Sequence, residues 1–317
     1  MYKYLVMSST SKHATPLSRL PDKIIFQEAY PNFLISQDEI VEDIVLKYND
    51  NETVFVIDTE KKQGLSLYDV AKIENKIDYK PNDLTMEAAD LAIFNYFHRD
   101  INNRDIGIYG TGNIAFKLAL RLSERNARIH IFGRQRKKIS VCIDALKQVT
   151  FDENLIHYGD ENTKLDCLVS FVSADEVISS DYNNLLKDNS LCLDGGIGNF
   201  SKEFISTALE NGHDVRRLDV RQSQEIMDGY INSRLNSQFS QIIGRDVING
   251  HRVVAGGIMG QDGQVIIDKI VSPTRVIGIA NGIGGVKNES DLSTEEHVKI
   301  QEVQSFIEQN CEKSTRY

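Results

Sequence analysis

Short apolar runs alternate with segments of helical periodicity along the middle of the chain, from about residue 105 to residue 243. Runs of β-branched and apolar residues indicate buried strands, and apolar positions three to four residues apart indicate helices. We expect strands at 105–109, 128–132, 167–172, 190–193 and 215–220, and helices at 114–125, 139–147, 204–210 and 224–243. This regular alternation predicts a doubly wound α/β fold with a parallel, Rossmann-type sheet.

The pattern before residue 84 predicts a smaller α/β domain over residues 1–83. A capping box of Ser36 and Glu39 is expected to open its first helix, because the two residues have the spacing that satisfies the free N–H groups of a helix start. The other elements expected there are strands at 3–7, 23–27 and 53–57 and a second helix at 66–74.

A break follows at Pro81, which cannot lie inside a helix. Asp83 or Thr85 can cap the next helix, predicted at 84–98. Because this helix is apolar on most sides, we expect it to be buried between two domains.

Two strong turn signals, Asn249-Gly250 and Asp262-Gly263, lie among β-rich residues after Gly244. They predict a small antiparallel β meander at 245–271. A strand at 275–280 and a closing helix at 294–308 follow from the pattern. We assign all of these elements to one large domain over residues 84–317.

The charge balance limits the classes of partner. The chain has 317 residues, a formal net charge of -10 and a composition typical of globular proteins, 41% hydrophobic and 26% charged. A negative chain argues against non-specific binding to nucleic acid or to an anionic membrane surface. We therefore expect a small-molecule substrate, no nucleic acid and no membrane as partner. A homodimer is one oligomeric state that stays open.

Cysteine and histidine usage favours a reduced protein without a metal. None of the four cysteines forms a CxxC pair, and the seven histidines show no metal-ligand spacing. The N-terminal apolar stretch turns polar after seven residues, which is too short for the apolar core of a signal peptide, and no stretch approaches transmembrane length. We expect a cytoplasmic location.

A glycine-rich loop follows the strand predicted at 105–109 and opens the next helix. It reads Gly110-Thr111-Gly112-Asn113-Ile114-Ala115, the G-x-G-x-x-A pattern of dinucleotide-binding loops in its required setting. Gly110 permits the tight turn, Gly112 allows close approach of a pyrophosphate, and Ala115 allows close packing of helix on strand. The free N–H groups of the helix start favour the phosphates. The loop predicts dinucleotide binding.

The end of the second strand indicates which dinucleotide is bound. NAD sites carry an acidic residue there for the ribose 2′-hydroxyl, whereas this chain reads Gly133-Arg134-Gln135-Arg136-Lys137-Lys138, without an acid. Arg134 is the residue we expect to bind a 2′-phosphate, since a guanidinium binds phosphate bidentately. The other three cations also fit a solvated face that opens a surface helix. We therefore predict NADP, with NAD as the less favoured cofactor.

Four segments between residues 80 and 200 share the pattern of one group of enzymes. They are Lys80-Pro81-Asn82-Asp83-Leu84-Thr85, the loop Gly110-Thr111-Gly112-Asn113-Ile114 with Lys117-Leu118-Ala119, Asp166-Cys167-Leu168-Val169-Ser170-Phe171-Val172-Ser173, and Leu193-Asp194-Gly195-Gly196-Ile197-Gly198-Asn199. Over this part the chain resembles the methylene-tetrahydrofolate dehydrogenase/cyclohydrolase family and, more loosely, the shikimate dehydrogenases, two members of one two-domain superfamily. The resemblance implies that Ser173 and Gly195 belong to the cofactor site. The short N-terminal domain and the meander depart from that family.

The resemblance also supplies candidates for acid–base catalysis. Asp83 stands where shikimate dehydrogenases carry their catalytic aspartate, with a plain helix cap as the alternative. Tyr68 and Lys72 have the form of the folate enzymes' Tyr-x-x-x-Lys and would share a helix face at i,i+4 spacing. Lys61 and Lys62 follow a strand, in a loop that could face the cleft.

Three functions remain open on these grounds. We expect an NADP-dependent oxidoreductase that acts on a small polar metabolite in a cleft between two domains. A non-enzymatic NADP(H)-binding protein, for example a redox-sensing partner, needs only the glycine loop and the cations. A Rossmann enzyme without net redox chemistry, such as a lyase or cyclodeaminase, is the third. Only the enzymes require an acid or base near Ser173.

Overall fold

The computed structural model describes residues 3–9, 15–50, 52–61, 66–235 and 238–314, without the side chains of 238–239 and 311–314. The chain divides into two compact units, residues 1–229 and 230–317. The first unit contains two β-sheets and the second contains one. The domain boundary predicted at residue 83 falls inside the first unit and stays a prediction.

Five strands, β1 to β5, form the sheet nearest the N-terminus, and they span Lys3–Ser9, Leu17–Ile25, Glu28–Ile35, Thr53–Asp58 and Lys76–Tyr79. Their order is β2-β3-β1-β4-β5. All neighbours are parallel except β2 and β3, which form an antiparallel hairpin. The carboxyl ends of β1, β3, β4 and β5 therefore meet at one edge of this sheet.

Two helices pack on this sheet, α1 over Glu39–Tyr48 and α2 over Leu67–Val70. The predicted capping box is wrong, because Asp38 is the N-cap residue and the Ser36 hydroxyl donates to the carbonyl of Thr15 instead. The helix predicted at 66–74 is also wrong in length. It ends after one turn, where the backbone becomes extended at Ala71.

Six strands, β6 to β11, form the second sheet, and they span Asp105–Tyr109, Arg128–Phe132, Ile156–Tyr158, Leu165–Ser170, Leu186–Asp194 and Asp214–Arg217. All are parallel, in the order β11-β10-β9-β6-β7-β8. From β6 the chain builds outward through β7 and β8, and then returns to the other side of β6 at β9. This is the Rossmann strand order, so the predicted fold class is confirmed.

Helices flank the second sheet, with α3 to α6 spanning Pro81–Tyr96, Asn113–Ser123, Arg136–Val149 and Lys202–Glu210. The helix predicted at 224–243 is two helices, α7 over Gln224–Leu235 and α8 over Gln238–Ile242. Within the described residues, no helix of the chain combines the length and the apolar character that crossing a bilayer would require.

Helix α3 begins three residues earlier than predicted. Lys80 is its N-cap and Pro81 its first residue, so neither Asp83 nor Thr85 is the cap. Small buried residues such as Ala88 and Ala92 let α3 pack in the same core as α4. One side of α3 is not apolar, because the buried Asp90 accepts hydrogen bonds from both terminal nitrogens of the Arg125 guanidinium, at 2.7 and 2.8 Å.

The second unit contains strands β12 to β15, over Gly244–Ile248, His251–Ala255, Val265–Ile267 and Val276–Ile279, and helix α9 over Thr294–Ser314. The hairpin turn predicted at Asn249-Gly250 is confirmed, since β12 and β13 are antiparallel. The one predicted at Asp262-Gly263 is wrong, because β13 and β14 pair in parallel; β14 and β15 are antiparallel again. Val303 and Ile307 of α9 cover one face of this sheet.

An ion network ties the amino ends of the Rossmann strands together. Asp105 accepts hydrogen bonds from Arg128, from Lys187 and from His130, and Lys187 also donates to Asp166. Burial alone would raise the pKa of Asp105, but these donors outweigh it and hold the pKa well below its usual range. The network fixes the edge of the sheet that lies opposite the carboxyl ends.

Two histidines in this sheet make its stability depend on pH. His130 of β7 stacks on His157 of β8, with ring centroids 5.1 Å apart. Burial lowers the pKa of both rings below the ordinary 6.5, in His130 against the pull of Asp105. The unfolded chain therefore binds protons more readily than the folded chain in this range. The stability is fully present above about pH 6.5 and is lost as the pH falls toward the lower folded pKa values.

We expect His157→Phe to reduce the pH dependence of folding. Phenylalanine keeps a ring against His130 and removes a titrating group, and no hydrogen bond to Nε2 is lost, since that atom has no partner among the described residues. Thermal unfolding at about pH 8 and about pH 5.5 measures the effect. The loss of stability on acidification should be smaller in the variant, whereas His297→Gln on the exposed side of α9 should leave it unchanged. An unaltered loss in His157→Phe contradicts the assignment.

Candidate functional site

A cleft of about 970 Å³ opens at the carboxyl ends of β6, β7 and β9. Three loop segments line it, residues 109–112, 133–135 and 171–174, and helix α5 adds Val141, Cys142 and Ala145. Because β6 and β9 are neighbours whose connections leave in opposite directions, the cleft lies at the topological switch point of the sheet. This is where open α/β sheets bind their ligands.

The two loop glycines are required for different reasons. Gly110 has a φ of 139°, and an added Cβ would lie 3.0 Å from the carbonyl oxygen of Phe171, so only glycine fits this turn. Gly112 has an ordinary φ of -87°, and no heavy atom lies within 4 Å of the position of its Cβ. The free space over Gly112, directly before the start of α4, fits a pyrophosphate that approaches the backbone.

The predicted loop residues divide into those that face the cleft and those that do not. Gly110, Thr111 and Gly112 line it. Asn113 and Ile114 form the first turn of α4 and are not among its lining residues, and Ile114 packs against the core. Their contribution to a bound phosphate would come from backbone N–H groups at the helix start.

Three cations of the loop after β7 border the cleft without a partner. Arg134, Lys137 and Lys138 are exposed lining residues, and none of them makes an ion pair or a side-chain hydrogen bond among the described residues. Arg136 differs, because its guanidinium lies over the ring of Tyr158, 5.7 Å from the centroid. Gly133 and Gln135 also line the cleft. The arrangement offers concentrated positive charge to a phosphate group.

The end of β9 carries Ser173 into the cleft, whereas Gly195 lies behind it. Ser173 is an exposed lining residue. Gly195 does not line the cleft, but an added Cβ there would lie 2.3 Å from the Phe171 ring. Gly195 therefore lets the Phe171 ring stand in the wall of the cleft. Asn199, fully buried, accepts a hydrogen bond from the Ser170 hydroxyl and donates to the carbonyls of Val172 and Ala174.

A strained residue follows β10, at the same edge of the sheet. Ile197 has a φ of 61°, a conformation that is rare for a β-branched residue, and its side chain is 63% exposed. Asp194 holds the loop by accepting N–H groups of Gly196, Gly198 and Asn199 at 2.7 to 3.1 Å. Such strain costs on the order of 1–3 kcal/mol and clusters at functional sites. The sequence did not single out Ile197.

None of the predicted acid–base residues lines the cleft. Asp83 forms an ion pair with Lys117 of α4, and both side chains are partly exposed. Lys72 lies beyond the end of α2, so the helix face predicted for Tyr68 and Lys72 does not exist. The Lys72 ammonium donates to the carbonyl of Asp69, and Lys61 lies 3.9 Å from the carboxylate of the same residue.

Two predictions about lysines need a further statement. Lys62 lies outside the described residues. The Tyr68 ring carries the ammonium of Lys76 at 4.2 Å from its centroid, and the same ammonium donates to the carbonyls of Tyr68 and Ala71. Tyr68 and Lys76 therefore stabilise the short α2 turn against β5.

A polar cluster at the carboxyl edge of the N-terminal sheet escaped the sequence analysis. Ser9 donates its hydroxyl to the fully buried Asp58 at 2.7 Å, and the Ser8 and Tyr79 hydroxyls are hydrogen-bonded to each other. Burial raises the pKa of Tyr79 well above its usual range. These residues come from three strands, β1, β4 and β5, which only the sheet brings together. The available signal was that each apolar strand run ends on a polar residue.

This edge connects directly to the helix that reaches the Rossmann sheet. The N–H of Asn82 donates to Glu60 at 3.4 Å, and the Asp83–Lys117 ion pair joins the first turn of α3 to α4. Helix α4 is the helix that the glycine loop opens. The polar edge and the glycine loop are thus connected through one turn of α3 and one turn of α4.

The described residues contain no group of three or more histidine, cysteine, aspartate or glutamate side chains arranged to hold a metal ion. The candidate site consists instead of backbone N–H groups, cations and hydroxyls. Such groups bind anions and small polar molecules.

The sequence matches no known protein family and no curated protein at a significant level. Solved structures with similarity to the chain are a dipicolinate synthase from Bacillus halodurans (10% identity, 74% of this chain and 80% of that one, TM-score 0.38), L-tryptophan dehydrogenase from Nostoc punctiforme (10%, 67% and 66%, 0.45), and CAD from Helicobacter pylori in complex with NADP(H) (18%, 47% and 44%, 0.33). With scores below 0.5, these likenesses carry no argument about this chain. Its fold follows from its own strand order.

We expect Gly112→Val to abolish dinucleotide binding without unfolding the protein. The branched side chain would fill the free space in front of α4, where no protein atom has to move. Affinity for NADPH, measured by titration calorimetry, should fall by about a hundredfold or more, which is about 3 kcal/mol. Gly229→Val is the control, because its Cβ also meets no atom within 4 Å, but in α7. Undiminished binding in Gly112→Val would mean that the loop does not hold the phosphates.

Proposed function

We propose that the chain is an NADP(H)-dependent oxidoreductase that acts on a small polar metabolite. The observation that carries the proposal is the cleft at the switch point, which combines the glycine loop with three unpartnered cations, Arg134, Lys137 and Lys138. The loop supports binding of a pyrophosphate, and the cations support binding of a further phosphate.

The preference for NADP(H) over NAD(H) rests on the residues after β7. A 2′-hydroxyl is bound by a carboxylate at this position, and residues 133–138 contain none. A 2′-phosphate would instead meet Arg134 and the two lysines. No carboxylate competes for these cations among the described residues, so their charge is available to a ligand.

Redox chemistry would come from the cofactor, since a bound nicotinamide supplies the hydride acceptor or donor. The chain would contribute position and proton transfer. Ser173 and the Phe171 ring would border the reacting end of the cleft. The polar edge with Ser8, Ser9 and Tyr79 would bind the hydroxyl, carbonyl or carboxyl groups of the metabolite. The raised pKa of Tyr79 keeps its phenol protonated at neutral pH, as a hydrogen-bond donor must be.

A non-enzymatic NADP(H)-binding protein is the second candidate. It is favoured by one observation: Asp83, Lys61, Lys72 and Tyr68 all lie outside the lining of the cleft. A binding protein requires only the glycine loop and the cations. A thermal-shift screen with NADPH and NADH, alone and with small acids, amino acids and folates, separates the candidates, because ligands raise the melting temperature by mass action. NADPH oxidation dependent on one of these metabolites supports the enzyme, and its absence across the panel supports the binding protein.

Arg134→Ala should weaken NADPH binding by about 1–3 kcal/mol, the scale of a lost charge-assisted contact, and leave NADH binding nearly unchanged. Titration calorimetry with both dinucleotides measures the difference. Arg136→Ala is the matched control, since it removes the same charge two residues away from a side chain that stacks on Tyr158. Equal losses for the two cofactors in Arg134→Ala would refute the NADP preference.

Asp83→Asn should lower turnover by about a hundredfold if Asp83 transfers a proton, with NADPH affinity unchanged. Lys117→Met is the control, because both variants break the same ion pair but only the first removes a titrating carboxyl group. The measurement is kcat on the substrate that the screen identifies. If both variants behave alike, Asp83 has a structural role and the acid–base group lies elsewhere.

A further inference from the structure

The four-stranded sheet of the second unit has two unlike faces. Helix α9 covers one face with Val303 and Ile307. The other face carries a groove of about 470 Å³ at β12 and β13, lined by residues 245–247, 252–254, Met259, Gln261 and Gln264. None of these residues belongs to the cleft at residues 109–177 or to the N-terminal polar edge.

Strand register brings two arginines together on this open face. Arg245 stands opposite Val254, and Val247 stands opposite Arg252. Residues opposite each other share a face, and so do residues two apart on one strand, so Arg245 and Arg252 are diagonal neighbours on the same face. Diagonal neighbours have Cβ atoms about 7–8 Å apart, within the reach of two long side chains.

The two guanidinium groups have no counter-charge. Neither Arg245 nor Arg252 makes an ion pair or a side-chain hydrogen bond among residues 238–314 or elsewhere in the described chain. The nearest acid in sequence, Asp246, accepts the N–H of Val247 at 2.7 Å instead. Like charges on neighbouring strands repel each other. In a chain with a net charge of -10, an unpaired cationic pair is a feature that a bound anion would complete.

The rest of the groove is apolar with one ordered amide. Val254 forms a fully buried floor, while Val247 and Met259 stand 59% and 72% exposed beside it. The amide oxygen of Gln264 accepts the N–H of Gln261 at 2.8 Å. This bond fixes the amide and leaves its NH₂ group as a donor. Small-molecule sites share this composition, with an apolar lining, a few placed polar groups and a volume of about 300–1,000 Å³.

We propose that this groove binds a small organic anion, a carboxylate or a phosphate monoester attached to an apolar group. Arg245 and Arg252 bind the anionic group, for which the guanidinium fork is suited, and Val247 and Met259 contact the apolar part. The proposal does not depend on the redox function, because the two sites share no residue.

Methyl resonances of methionine provide the test, since Met259 is one of only five methionines in the chain. The whole protein, labelled at its methionine methyl groups, is titrated with phenyl phosphate, phenylacetate, inorganic phosphate and phenol. We expect the Met259 resonance to shift with phenyl phosphate or phenylacetate, and the stronger of the two identifies the anionic group. Inorganic phosphate and phenol, which each lack one half of the ligand, should bind at least about tenfold more weakly.

Variants separate the groove from general charge effects. The double substitution Arg245→Gln with Arg252→Gln should weaken the response of Met259 at least about tenfold. Arg275→Gln is the matched control, because it removes the same charge from an exposed position of the same unit that does not line the groove. The proposal is overturned if Met259 responds to neither anion, if phenol binds as tightly as the anions, or if the double variant keeps its affinity. Loss of NADPH binding elsewhere in the chain would leave these results unchanged.

Discussion

The close approach of the loop after β6 to the ends of its two neighbouring strands is the constraint on which the cleft depends. The N–H of Gly110 donates to the carbonyl of Phe132 at the end of β7, and the N–H of Phe171 after β9 donates to the carbonyl of Tyr109. A Cβ on Gly110 would lie 3.0 Å from the Phe171 carbonyl oxygen. These contacts hold three strand ends together while α4 starts in front of them. The start of α4 is thereby aimed at the space where a phosphate group fits.

The distribution of charge separates structural arginines from those available to ligands. Arg125 and Arg128 are bound to Asp90 and Asp105 in bidentate or paired geometry, and they fix helices and strands. Arg134, at the cleft, has no such partner among the described residues. In an acidic protein, carboxylates are plentiful, so a cation that lacks one marks a place where an anion can bind at a small cost in desolvation.

The N-terminal sheet contributes hydroxyls rather than charges. Ser9 and Asp58 meet at the carboxyl ends of β1 and β4, and Asp58 also accepts the N–H of Ser9 at 3.0 Å. The buried carboxylate fixes the direction of the serine hydroxyl, so the edge is ordered before any ligand arrives. A metabolite bound there would meet fixed donors and acceptors, which lowers the entropy cost of binding.

The sequence by itself determined the Rossmann strands, the loop at Gly110 and Gly112, and the cations from Arg134 onward. All of these are local signals: a turn that only glycine can make, an apolar period, and a run of like charges. Only the tertiary structure decided that Arg136 stacks on Tyr158 while Arg134 remains unpaired within the described chain, and that β13 and β14 run parallel across the Asp262-Gly263 turn. It also brought Ser9, Asp58 and Tyr79 to one edge, and set Ile197 at a φ of 61°. Each of these depends on pairing between residues far apart in the chain, and such pairing leaves no periodic trace in the sequence around any one of them.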